Sequence, residues 1–249
     1  MTDNNSSANA MIEATRGRAK FSGHGGALGA AGYLSDTDDN NVNFLGVTGQ
    51  TEIVNPHQHG YEKIRIGAAW QPITVKKQGF LGKLLKKEQE KGVDLDLGCL
   101  YEMKDGTRGC VQAFGEMFGA FNEAPYLSLS GDDRTGEDDD DDDGEDEIIM
   151  LNGKKWPDIK RVLFYLYIYE GVNNWAEIQP QVQIRVPNEK PMIVTLHTYK
   201  SELPLCAVAM LENVRGGIKM TNNTEYYPGH AEMDRAFGFG LNWDDGKKS

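Results

Sequence analysis

Val162-Leu163-Phe164-Tyr165-Leu166-Tyr167-Ile168-Tyr169 is apolar or aromatic at every position. A strand sends successive side chains to opposite faces, so a strand here is apolar on both. That suits a central strand covered on each side. Outward from it, Glu62–Trp70 and Val93–Tyr101 alternate in the strand period, and Lys104-Asp105-Gly106-Thr107 carries a hairpin-turn signal. Further strands are expected at Cys110–Phe114, Ile148–Leu151, Arg161–Tyr169, Val182–Val186, Met192–Tyr199, Cys206–Glu212 and Gly217–Met220. The one clear helix candidate is Ala231–Phe237, which opens after Pro228-Gly229 and stops at Gly238. Many short strands separated by turns predict an all-β fold, a β-sandwich with one short C-terminal helix.

The chain has 249 residues, enough to bury a real core as one large all-β domain or two smaller ones. Its mean hydropathy of -0.54 is that of a soluble protein with polar extensions. No apolar stretch approaches the ~20 residues of a membrane span. Met1-Thr2-Asp3-Asn4-Asn5 has no charged-then-apolar leader pattern, so a cytoplasmic location is expected. A pI near 4.9 argues against nucleic acid as a partner. The three cysteines, Cys99, Cys110 and Cys206, have no metal-ligand spacing. They read as buried, inert thiols of a reducing compartment.

Charge is concentrated in one place. Gly131-Asp132-Asp133-Arg134-Thr135-Gly136 leads into Glu137, six aspartates from Asp138 to Asp143, and Gly144-Glu145-Asp146-Glu147. Asp132 to Glu147 holds twelve acids and one arginine, while the whole chain carries only -12. Such a run repels itself unless a cation sits in it. Most acidic runs are solvated loops that bind nothing specific. This one is internal and pinned between strand-like segments. A second acidic pair, Asp94 and Asp96 in Gly92-Val93-Asp94-Leu95-Asp96-Leu97, alternates strictly, which puts both carboxylates on one strand face. A glycine-flexed carboxylate loop beside a D-x-D strand suits Ca²⁺, which takes roughly 6–8 oxygens at about 2.3–2.6 Å.

Other segments carry less. Residues 1–60 are rich in Asn, Ser, Gly and Ala and read as a flexible arm ahead of a folded domain at 61–249. The glycine-rich part of that arm lacks the lysine-serine or lysine-threonine pair of a phosphate loop. Lys76–Lys87 places Phe80, Leu81, Leu84 and Leu85 at helical spacing among lysines. A segment of this kind packs on its own domain, contacts an anionic membrane surface, or neutralises the acidic loop. His57 and His59 share a face if extended but have no third ligand nearby, and His230 reads as a helix-terminal or core hydrogen-bonder. No serine or cysteine stands in a catalytic constellation.

Taken together, the D-x-D strand, Gly131–Gly136 and Asp143–Glu147 resemble the TerD-type tellurium-resistance and stress-response family. Ile168-Tyr169-Glu170-Gly171-Val172-Asn173-Asn174-Trp175, Ala209–Asn213 and Gly229–Gly238 resemble its TerA branch. The resemblance covers about residues 61–245. It implies a calcium-binding β-sandwich without enzymatic turnover. By position it implies Asp94, Asp96, Asp132, Asp143, Asp146 and Glu147 as calcium ligands, with Gly136 and Gly144 shaping the loop. Two departures stand out: the extra aspartates from Asp138 to Asp142, and Glu145 where the pattern has aspartate.

The expected function is therefore a calcium-binding, non-enzymatic module of the tellurium-resistance and stress-response type. Its expected partners are other protein subunits, including self-association through the N-terminal arm. The rival expectation is a structural subunit of a larger particle or membrane-associated complex, with residues 76–87 touching the membrane. A two-metal hydrolase is disfavoured, because no general acid or base stands out.

Overall fold

A computed structural model describes residues 42–70, 73–75, 89–91, 94–130, 147–171, 173–196 and 202–243. Two sheets pack face to face. The first runs, in spatial order, β1 (Asn43–Leu45), β13 (Met192–Thr195), β12 (Gln181–Arg185), β3 (Lys63–Ala69), β10 (Glu147–Asn152), β9 (Leu127–Leu129) and β8 (Gly119–Ala120). The second runs β2 (Thr51–Val54), β15 (Gly217–Tyr227), β14 (Leu205–Val214), β11 (Ile159–Glu170), β6 (Asp94–Met103) and β7 (Arg108–Val111). A separate ribbon pairs β4 (Ile73–Val75) with β5 (Gln89–Lys91), on either side of the lysine-rich insertion. Residues 76–87 themselves lie outside the described residues.

The apolar octapeptide is the middle of β11, which lies between β14 and β6. Its two faces feed two cores. Val162, Phe164, Leu166 and Ile168 enter the layer between the sheets with Leu95, Leu97, Ile64, Ile66, Val182 and Ile184. Leu163 and Tyr165 face outward and are covered by Met233, Phe239 and neighbouring side chains. Trp156 and Trp175 are the largest buried side chains, and each indole N–H finds a backbone carbonyl, Gly217 at 3.3 Å and Leu203 at 2.7 Å. Burying a ring is favourable only if its polar handle is satisfied.

The outward core needs a lid, and the C-terminus supplies it. Helix α2 (His230–Phe237) ends at Gly238, whose φ of 66° is left-handed and suits glycine. A shorter helix, α1 (Trp175–Ile178), also forms, so the C-terminal helix is not alone. Arg161 donates from its two terminal nitrogens to the carbonyls of Phe237 (2.9 Å) and Gly238 (3.0 Å), and Arg108 donates to Phe239 O at 2.9 Å. Both arginines also bind buried Glu102, with Lys160 as a third cation. Asp234, 3 % exposed, accepts from the N–H groups of Gly240 and Leu241 (2.7 Å each) and from the Trp243 indole (2.9 Å).

Two expectations change here. The boundary near residue 60 is too late: β1 pairs in parallel with β13, and β2 pairs with β15. Leu45 and Val54 are core residues, so residues 42–60 are part of the sandwich. Their short strands carry too few apolar residues to announce themselves. Residues 1–41 lie outside the described residues. The cysteine reading also splits. Cys99 and Cys206 are fully buried, and burial pushes both thiols up, whereas Cys110 is half-exposed.

Candidate metal centre

The D-x-D segment forms as its alternation requires. Leu95 and Leu97 are fully buried between the sheets, while Asp94, the first residue of β6, is exposed and Asp96 is half-buried. Both aspartates therefore face away from the inter-sheet core, on the same side of the strand. Across the ladder Asp96 stands opposite Tyr167 and Asp94 opposite Glu170. Glu170 is a third carboxylate on the neighbouring strand at this end of the sheet. Sequence spacing could not reveal it, because the β11–β6 register is set by tertiary pairing and shifts at Ile168/Glu170.

Glu147 opens β10 in the opposite sheet, where it pairs with Ala68 of β3. Its carboxylate oxygen Oε2 accepts a hydrogen bond from the backbone N–H of Leu97. The side chain thus crosses from one sheet to the strand that carries Asp96. Ser130, at the other end of the acidic run, donates its backbone N–H to Ile148 O at 2.8 Å, and its hydroxyl donates to the same oxygen at 3.0 Å. The chain on either side of residues 131–146 is therefore clamped together beside β10. Asp132, Asp143 and Asp146 fall within 131–146, outside the described residues. Of the six proposed ligands, the structure brings Asp94, Asp96 and Glu147 to one end of the sandwich.

Electrostatics at this end is strained. Burial, and then the neighbouring charge of Asp94, push Asp96 up to about 6. Among the described residues neither Asp94 nor Asp96 is paired with a basic side chain. Tyr165, on the same outer face, is raised chiefly by burial, with smaller contributions from Cys110, Cys99, Asp96 and Glu147. A divalent cation would relieve the carboxylate repulsion and hold Asp96 ionised. The donor set is all oxygen, which fits Ca²⁺ or Mg²⁺ and not a soft metal. Among the described residues no three His, Cys, Asp or Glu side chains converge as a ligand group.

The histidines sit elsewhere. His57 Nε2 lies 2.9 Å from Glu189 Oε1, and its ring packs on Tyr61 at 4.8 Å. His59 is exposed. His230 is stacked on Trp243 at 5.1 Å and meets Tyr165 and Tyr167 at 5.1 and 5.0 Å. Burial holds it down to about 4, so the ring is neutral near pH 7. No helix among the described residues is long and apolar enough to cross a membrane.

Comparison with known proteins gives one result that bears on identity. No family model matches the chain. A tellurium resistance protein, TerA, from an Alcaligenes species is 38% identical to it over 188 residues. The match covers 76% of this chain and 53% of that protein, so the chain spans about half the length of the relative.

Proposed function

We propose that this chain, which that match assigns to the TerD/Ter-type tellurium-resistance family, is a calcium-binding module of tellurium-resistance type. In this reading it turns over no substrate and works in the cytoplasm, in stress response, by assembling with other protein subunits. The observation that carries it is that Asp94, Asp96 and Glu147 lie at the one end of the sandwich where the acidic run enters it. Asp94 and Asp96 would supply fixed strand oxygens, Glu147 a third, and Asp132, Asp143 and Asp146 the remainder.

Calcium would neutralise a set of acids that otherwise repel one another, and so tie residues 131–146 to β6. The metal's part is cross-linking and charge neutralisation. The protein's part is to fix two carboxylates on a rigid strand so that the loop binds against them. Native mass spectrometry with and without a chelator tests the reading, since it counts calcium and subunits together. Calcium-dependent mass shifts and a calcium-dependent assembly state are expected. Identical spectra under both conditions would refute it.

A further inference from the structure

A second constellation lies on the outer face of the six-stranded sheet, between β7 and the C-terminal lid. Cys110 and Gln112 follow the strand alternation and point to one side. The chain then makes a tight 3-10 turn at Phe114–Glu116, with Gly115 and Glu116 at φ of 66° and 55°. It returns so that Met117 bridges Gln112, whose N–H donates to Met117 O at 2.9 Å. This return sets the Met117 Sδ 3.7 Å from the Cys110 Sγ. Two sulfurs bound to one metal at about 2.3 Å, at tetrahedral to trigonal angles, stand roughly 3.7–4.0 Å apart. The observed spacing would let both sulfurs reach one metal.

The pair opens onto a cavity of about 640 Å³ that also has His230, Phe114, Tyr167 and Trp243 in its wall. His230 Nε2 is shut off from solvent and has no hydrogen-bond partner among the described residues. An orphaned buried nitrogen is costly unless something binds it. Among the described residues no carboxylate lines this cavity. Thiol, thioether and imidazole together are a soft donor set, the kind that selects Cu(I).

We propose that Cys110 and Met117, with His230 as third donor, form a binding site for a soft monovalent metal ion of the Cu(I) and Ag(I) class. The site is independent of the calcium reading, because it shares no ligand with it. Binding forms a metal–thiolate bond and breaks the Cys110 S–H bond. The proton leaves to solvent, and neither metal nor sulfur changes oxidation state.

The test titrates the full-length reduced chain with Cu(I), anaerobically, against a chromophoric Cu(I) chelator, and repeats it with redox-inert Ag(I). One tight equivalent and release of one proton are expected. Cys110→Ser should abolish that equivalent. Met117→Leu and His230→Gln should each weaken it by about tenfold or more, since each removes one of three donors. Calorimetric melting without metal checks that each variant folds, and Met117→Leu keeps the volume at a partly exposed position. Retention of the equivalent in Cys110→Ser would overturn the site. So would wild-type affinity in Met117→Leu, which would mark capture by a single thiol, or wild-type affinity in His230→Gln.

Discussion

Glu147, at the start of β10 in one sheet, accepts a hydrogen bond from the backbone N–H of Leu97 in the other. The contact ties the end of the acidic run to the strand of Asp94 and Asp96. On the calcium reading, a cation bound there would hold the two sheets together only in the folded state, so metal binding and fold stability would be one equilibrium.

Calcium should therefore raise the melting temperature by mass action. With free metal at about 100 times the dissociation constant, the expected gain is roughly 2.7 kcal/mol, reduced by any affinity of the unfolded acidic run. Calcium should outperform magnesium, which demands strict octahedral geometry and gives up its waters reluctantly. Scanning calorimetry in chelator, calcium and magnesium decides it: three superimposed melts would mean the ion is not structural.

Asp96→Asn should show opposite effects with and without metal. Asp96 is held at about 6 in the folded protein, above its ordinary 3.8, by burial and by Asp94. A carboxyl raised in this way binds its proton more tightly when folded. It favours folding below about 3.8, and that contribution is lost as pH rises through about 6. In chelator, Asp96→Asn should therefore be more stable than wild type at pH 7, and the decline between about pH 4 and 6 should flatten. In calcium, the same variant should lose the stabilisation that the metal gives wild type. Denaturant midpoints across pH, with and without calcium, read both arms. A variant less stable than wild type in chelator at pH 7 would refute the electrostatic account.

Glu102 governs the lid over the outer core. Burial opposes its ionisation, but hydrogen bonds from Lys160, Arg161 and Arg108 outweigh that and hold it down to about 2. The stability it contributes is present above its ordinary 4.5 and is lost as pH falls toward about 2. Glu102→Ala leaves three cations without their counter-charge. Lys160 and Arg108 are 57% and 41% exposed and can turn to water, so the cost should fall below the roughly 3–5 kcal/mol of a fully buried pair, at about 2–3 kcal/mol. Near-UV dichroism should weaken as well, since Arg108 and Arg161 orient the segment that carries Trp243. Unchanged stability and dichroism would show that the lid holds without the cluster.

The parts of this architecture that could be read in the sequence are those where one signal acts alone. β11 is apolar on both faces, and β6 alternates, so both stand out by period. Gly238 stops α2 because a left-handed residue is needed there. The signals that failed are collective. β15 runs on to Tyr227, past the expected end at Met220, through Thr221, Asn222, Asn223 and Thr224. It does so because buried Asn222 donates to Leu45 O at 2.7 Å and accepts from Thr224 N–H at 2.9 Å. Those partners are visible only once the strands are assembled. The same holds for Glu170 opposite Asp94, and for Met117 beside Cys110. At the candidate metal centre, alternation sufficed to put Asp94 and Asp96 on one face, and the resemblance supplied Glu147 as an expected ligand. Its contact with Leu97 across the two sheets was not legible.

Asn222 also links the N-terminal strands to the rest, and this sets the last prediction. A chain beginning at residue 42 keeps β1 and β2, and one beginning at residue 56 removes both. In the first, Phe44, Leu45 and Val54 stay buried, and Asn222 keeps the Leu45 carbonyl as its acceptor. The second exposes the surface those side chains cover, at roughly 1.5–3 kcal/mol for each fully buried Val, Leu or Phe. It also strips the pairing partners from β13 and β15 and leaves the Asn222 amide buried without its acceptor, which costs about 1–3 kcal/mol more. The sum is comparable to the roughly 5–15 kcal/mol of a typical domain, so the shorter chain should be unfolded or nearly so. Circular dichroism melts of the two truncations make the comparison. A cooperative melt at wild-type temperature from the chain beginning at residue 56 would show that β1 and β2 are dispensable and that the folded unit does begin near residue 60.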